Sequence, residues 1–583
     1  MSGQAFDAVG HQRRACVVAG VALGLGLLTL AGRLIQINTE LAPRLVAVRD
    51  AQHHGMMVVP GRRGSIFDCR GRVVADSRQV YGLFADPAAI HRPDVLAARI
   101  APIVGLDAGA LEDRIRNSAA PRFCWLKHHL EEAEATALRA AGEPGVHLVH
   151  EWAREYPLET SLAHVLGFVG DEARGLEGLE SACDGLLRGV DGRVWTVRDA
   201  LRRSIGESPD SRRSARDPID GNHVVLTIDS VIQGFVETHL AKQAREYQAE
   251  GGVGIVLDPA TGDILAMASW PTFHPGQYGR VPRRVWRNRA VTDAVEPGST
   301  FKPFIAGGAL ARGVVSPGEM IDCHNGLYVI GGRRLHDAHP HGRMTFEEVV
   351  IRSSNIGMAI VGERLGNPAL HEIVRCFGFG QRTGIDFPGE AEGIVLPLER
   401  WNSYSTTSVP MGHEIAVTPL QLVTAFSAFV NEGLLLRPRL IRAFLSPDGQ
   451  VLEEFTGPEP LRRVLPARVA RYFAGEVLTR VVSEGTGRRA KLEAYRVLGK
   501  TGTAQVPCPD RRGYQPDAYI GSFIGAAPAE APRVTALVMI HQPNARKGYY
   551  GGLVAAPAVK RILADTLAYL QVPSAQKDNG PTG

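Results

Sequence analysis

From Ala15 to Gly32 the chain carries no charged residue, and Leu34-Ile35-Gln36-Ile37 continues the apolar run past a single Arg33. A helix rising about 1.5 Å per residue over that length crosses an apolar layer of about 30 Å. The pattern therefore predicts a membrane-spanning helix over residues 15–37. Arg13 and Arg14 precede it, which favours a cytoplasmic tail of residues 1–14 and an extracytoplasmic remainder. A cleaved signal peptide is the alternative. The run is long for one and lacks a clear small-x-small cleavage site at its end, so it reads as an uncleaved anchor.

Residues 38–57 predict an amphipathic helix leading away from the membrane. Between Gly61 and Ala75, glycines bracket short apolar stretches, the pattern of a strand–turn–strand unit. Residues 93–140, rich in Ala, Leu and Glu, predict helices broken at Pro and Gly. Residues 38–203 read as one N-terminal domain. Ser208-Pro209-Asp210-Ser211-Arg212-Arg213-Ser214 sits in a linker over 204–221.

A second domain over 222–570 opens with the β-rich run Val224–Asp229 and a helical pattern to about residue 248. Gly252–Leu257 and Ile264–Ser269 flank a turn containing Pro259 and Gly262, which predicts a hairpin. Strand-like runs return at 497–508, 518–527 and 533–541, followed by a helix over about 555–570 and a disordered tail over 571–583. Strands at both ends with helices between imply one sheet assembled from distant parts of the chain, in a multidomain α+β or α/β protein.

A chain of 583 residues is too long for a single core, consistent with this division. Its 44% apolar and 22% charged residues are ordinary for globular protein. A net charge of +4 gives no case for nucleic acid, and no recognition motif for it is present. The seven cysteines have no paired spacing, which argues against a zinc ribbon or a thioredoxin-like site. The stretch Asp322 to His341 offers His, Asp and Cys, but in no standard metal-ligand pattern, and reads as a polar loop. No metal or other cofactor is called for. The basic run Arg212–Arg216 reads as a solvated loop rather than an anionic-polymer site.

Three short motifs carry the chemistry: Ser299-Thr300-Phe301-Lys302, Ser353-Ser354-Asn355 and Lys500-Thr501-Gly502-Thr503. They match the S-x-x-K, S-x-N and K-T-G set of serine acyl-transfer enzymes, in that order. Residues three apart on a helix share a face, so Lys302 lies within reach of the Ser299 hydroxyl. A serine is a poor nucleophile until a base takes its proton. Lysine serves as that base once burial and a neighbouring cation such as Lys500 depress its pKa. Ser353 offers a relay hydroxyl, and Asn355 an amide to orient Lys302 and the substrate. The Lys500–Thr503 stretch predicts an edge strand on which an acyl substrate lies by strand addition. The N–H groups of Ser299 and Thr503 then suit an oxyanion hole, and Lys500, Thr501 and Thr503 suit a substrate carboxylate. A second S-x-x-K, Ser574 to Lys577, is accidental in a polar tail.

With these motifs in hand, the sequence resembles the class B penicillin-binding proteins from about Arg33 to Leu570. The resemblance includes Arg63-Gly64-Ser65-Ile66-Phe67-Asp68, His164–Gly170, Gly175–Glu180, Thr383–Glu390, Val417–Gln421 and Tyr549-Tyr550-Gly551-Gly552. It implies a transmembrane helix, a pedestal (dimerisation-like) domain and a penicillin-binding domain with a central antiparallel sheet flanked by helices. It also implies a D-Ala-D-Ala transpeptidase that cross-links peptidoglycan stem peptides through acylated Ser299 and is a target of β-lactams. The segments are most similar to the division-specific, FtsI-type branch, which implies a septal role beside a membrane glycan polymerase of the FtsW type and other division proteins. An elongation-type enzyme and a catalytically dispensable division scaffold are the alternatives. A secreted β-lactamase would lack the pedestal, and a membrane β-lactam sensor would carry several membrane helices. No glycosyltransferase signature is present.

Overall fold

In the computed structural model, the longest apolar runs after the N-terminal one form the covered strands of a central sheet and the buried faces of the helices around it. It describes residues 4–42, 54–170, 173–198, 204–207, 216–508, 510 and 513–574. The chain divides into two compact units, one made of residues 1–61 with 190–219, the other of 62–189 with 220–583.

The first unit contains the helix Gln4–Gln36, which continues as one widened turn over Ile37–Leu41. Val17, Leu23, Leu25, Leu28 and Leu30 are all exposed on it among the described residues. Its stretch Gly10–Glu40 is long and apolar enough to cross a membrane, and no second such helix occurs among the described residues. The expected helix over 38–57 is corrected in its last part. His54–Val59 is a strand paired antiparallel with Gly192–Arg198, which in turn pairs with Ser204–Glu207. Residues 43–53, 208–215 and 575–583 lie outside the described residues, and with them the core of the expected linker and most of the expected tail.

In the second unit, Ile66–Phe67 and Val73–Ala85 pair antiparallel about the turn at Gly71, as the glycine-bracketed pattern predicts. They belong to a seven-stranded sheet that takes in His223–Leu226, Ile441–Leu445 and Val451–Glu454. The β-rich run at 224–226 is thus a partner of Ile66–Phe67 and lies outside the sheet expected for the second domain. Within the helical stretch 93–140, Cys124–Leu130 is a strand on Val73–Ala85, flanked by the helices Ala108–Arg116 and Glu132–Ala141. Its Trp125 and His128 side chains pack on neighbouring rings, so tertiary pairing overrides a helix-biased context.

A buried ionic knot ties Arg63 into this unit. Its guanidinium reaches Glu180 Oε2 and Asp184 Oδ1, both at 2.6 Å, while Arg154 takes Glu180 Oε1 at 2.6 Å. Gly64 passes so close to Asn222 that any side chain would strike its carbonyl. The Arg63-Gly64 and Gly178-Leu179-Glu180 motifs are therefore two halves of one contact.

The central sheet has five strands, here β1 (Gly251–Leu257), β2 (Ile264–Trp270), β3 (Leu498–Pro507), β4 (Tyr514–Ala527) and β5 (Val534–His541). Their order is β2-β1-β5-β4-β3, antiparallel throughout. One sheet assembled from distant segments is what the strand pattern predicts. Helix α1 (Ser230–Glu246) and the C-terminal helix Ala556–Tyr569 bury Val236, Leu240, Ile562 and Leu563 against one face. The other face packs on the helix Pro419–Val430, and the core behind it, with Val423 and Phe426, continues into helix α2 (Lys302–Ala311) and helix α3 (Asn355–Cys376). Strand β3, at the sheet edge, runs beside the start of α2.

Candidate active site

Pro297 leads into a 3₁₀ turn, Gly298–Phe301, which passes straight into α2 at Lys302. In such a turn side chains three apart eclipse one another, so Ser299 and Lys302 leave the chain on one side. Gly298 has φ +54°, and a Cβ there would lie 2.8 Å from Thr503 O. A Cβ on Gly502 would in turn lie 2.8 Å from Thr300 Cγ2 and 3.0 Å from Pro297 O. Glycine on both sides lets the turn bearing Ser299 sit against β3.

The three motifs converge here. Lys302 is fully buried, and its Nζ donates to Ser353 O at 2.6 Å, Asn355 Oδ1 at 2.8 Å and Ser353 Oγ at 3.2 Å. Lys500, also fully buried, donates to Ser353 Oγ at 3.0 Å and Thr501 O at 3.1 Å. Ser353 Oγ thus joins the two amines. Ser353 holds φ +64°, a costly backbone for a residue with a Cβ, and that twist puts both its carbonyl and its hydroxyl on Lys302. Ser299 is half-buried at the mouth of this cluster, and Lys302 spends its bonds on Ser353 and Asn355 rather than on Ser299.

Burial strips water from both amines and disfavours their charged forms. It draws Lys302 down to about 7, against an opposing pull from Asp337. Lys500 falls well below its ordinary range through burial, with the charge of Lys302 adding to the effect.

Thr501 Oγ1 meets Thr486 Oγ1 at 2.6 Å, and Thr503 Oγ1 accepts from Gly551 N at 3.1 Å. The Tyr549-Tyr550-Gly551-Gly552 motif is thereby brought to β3. Tyr519 and Tyr549 stack at 3.9 Å, and Tyr549 and Tyr550 at 4.4 Å.

Two carboxylates at the site escape the motif reading. Glu296 takes His413 Nδ1 at 2.8 Å, Tyr514 Oη at 3.0 Å and Glu414 N at 3.1 Å, tying the segment before the nucleophile to the tip of the β3–β4 hairpin. Asp337 closes the strand Arg333–His336 and accepts from Ser354 Oγ at 2.6 Å, Asn355 N at 2.5 Å and Ile356 N at 3.0 Å. The polar stretch 322–341 thus supplies an anchor for the S-x-N motif, and among the described residues no three His, Cys, Asp or Glu side chains gather as a metal site. Glu296 stands directly before the Pro297-Gly298 lead-in, but no spacing rule links Asp337 to Asn355.

Residues 252–564 match the penicillin binding protein transpeptidase domain. The chain belongs to the penicillin-binding protein transpeptidase family. Residues 58–226 match the penicillin-binding protein dimerisation domain of the same proteins. The peptidoglycan D,D-transpeptidase FtsI of Escherichia coli is 30% identical over 94% of this chain and 90% of its own length. Stage V sporulation protein D of Bacillus subtilis is 34% identical over 88% of this chain and 78% of its own. The crystal structure of penicillin binding protein 3 from Mycobacterium tuberculosis, complexed with aztreonam, superposes with a TM-score of 0.69 at 29% identity. It covers 90% of this chain and 98% of that one.

Proposed function

We propose that this chain is a membrane-anchored peptidoglycan D,D-transpeptidase that works through an acyl-enzyme on Ser299 and serves septal wall synthesis. The buried Lys302–Ser353–Lys500 chain beside Ser299 carries the reading, since a scaffold has no need of two dehydrated amines linked through a hydroxyl.

Neutral Lys302 accepts the proton of Ser299 as Oγ attacks the carbonyl between the two terminal D-alanines of a donor stem peptide. The N–H groups of Ser299 and Thr503 take the oxyanion. Collapse breaks the amide and expels the terminal D-alanine, whose nitrogen receives a proton by way of Ser353. The amine of an acceptor stem peptide then attacks the ester, forming the cross-link and returning Ser299. Asn355 holds Lys302 and the donor peptide. Thr501, Gly502 and Thr503 line the donor along the edge of β3, with the Thr501 and Thr503 hydroxyls toward its carboxylate. β-Lactams enter as donor mimics.

The likeness to FtsI supports a septal role, and residues 15–37 with Arg13 and Arg14 support a single pass with the N-terminus inside and the catalytic domain outside. A glycan polymerase of the FtsW type and other division proteins are the partners this reading requires. Ser299→Ala tests the chemistry: it abolishes covalent labelling by penicillin while the melting temperature stays put, and mass spectrometry of the wild type finds the adduct on Ser299. An adduct elsewhere overturns the assignment, and a fluorescent fusion that marks the sidewall rather than midcell overturns the septal role.

A further inference from the structure

We propose that Asp337 is the positioning residue of the acylation step, fixing Asn355 from behind and supplying the one negative charge that Lys302 works against. The proposal rests on the transpeptidase reading of Ser299 and Lys302 and goes beyond it to a residue outside the three motifs.

Asn355 opens α3, so its side chain is only as well placed as the first turn of that helix. Asp337 holds the turn at three points: Oδ1 takes the N–H groups of both Asn355 and Ile356, and Oδ2 takes the hydroxyl of Ser354. Free N–H groups at a helix start bind carboxylates by charge-assisted bonds. The neighbouring His336 carbonyl accepts from Asn355 Nδ2 at 3.1 Å. One strand end therefore grips Asn355 by backbone and by amide, and leaves Oδ1 of that amide free for Lys302.

The charge matters as well as the grip. The groups facing Lys302 are Ser353 and Asn355 at the head of α3, Lys500 on β3, Ser299 on its own turn, and Asp337 behind Asn355. Cys323, whose thiol burial holds protonated, meets Ser354 on the far side of Asp337. Asp337 is the carboxylate among these, and it pulls Lys302 up against the effect of burial. A base drawn too low is neutral at every useful pH but weak; Asp337 keeps Lys302 strong enough to take the serine proton.

Asp337→Asn separates the two roles. Its Oδ1 still accepts from both N–H groups, and its Nδ2 donates to Ser354 Oγ, so contacts survive while the charge goes. The full chain in detergent is followed by its rate of acylation with a fluorescent penicillin from pH 5 to 9. The wild type is expected to rise through about pH 7 as Lys302 loses its proton. Asp337→Asn is expected to move that limb down by about one pH unit and lower the plateau severalfold. Ser354→Ala, which removes one anchor and keeps the charge, is expected to lower the plateau with the limb in place. If Asp337→Asn gives no cooperative melt, Asp337→Ser removes the same charge from a smaller side chain and is read the same way. A plateau lowered without a shifted limb overturns the electrostatic role, and a limb and plateau both unchanged overturn the proposal entirely. A wild type that takes no label at all overturns the transpeptidase reading, and this inference with it.

Discussion

Ser353 is the residue on which the site turns. Its left-handed backbone brings a carbonyl and a hydroxyl to Lys302, and the same hydroxyl receives Lys500. The two lysines therefore have different work. Lys302→Ala removes the proton acceptor and is expected to cut acylation at least about a hundredfold on charged and neutral substrates alike. Lys500→Ala leaves the acceptor in place. It is expected to weaken donors bearing a terminal carboxylate by tenfold or more, and a neutral ester by less; stopped-flow acylation with a paired acid and ester checks this. Equal losses on both substrates would put Lys500 in the proton path alone. The motif spacing made Ser299, Lys302 and Lys500 legible in the sequence. Asp337 was not, because a side chain that caps a helix eighteen residues on leaves no periodic trace.

At the scale of elements, the strands of the central sheet were readable because both of their faces are covered. Burial on both faces produces apolar runs such as Ala536–Ile540. Cys124–Leu130 was not readable, since the consecutive polar residues Lys127, His128 and His129 break the apolar alternation of a strand. The seven-stranded sheet depends on the ionic knot of Arg63, Arg154, Glu180 and Asp184, where Arg63 and Glu180 are almost wholly buried. Taking away one partner of a buried pair strands the other charge, at a cost of about 3 kcal/mol or more. Arg63→Ala is thus expected to lower the urea midpoint clearly, while chains that remain folded keep the pH profile of Ser299 acylation. A midpoint within error of wild type would show that Arg154 alone satisfies Glu180.

At the scale of the molecule, the N-terminal helix is exposed along its apolar stretch among the described residues, with Cys16, Gly20 and Gly24 recurring every four residues. Among the described residues, nothing lies within 4 Å of where a Cβ on Gly20 or Gly24 would stand. Small residues at this spacing let membrane helices come close. Replacing Gly20 and Gly24 with Leu is expected to reduce co-purification of the membrane polymerase several-fold, with penicillin labelling unchanged; full recovery of the partner would make the stripe ordinary lipid-facing surface. The strand order β2-β1-β5-β4-β3 has a further consequence. Lys500 rides on a strand joined to the body of the sheet only through Tyr514–Ala527, which is itself held by Val534–His541. A nascent chain that already displays Ser299 and Lys302 therefore still lacks its second amine, and gains it only when three later strands have been made and have paired.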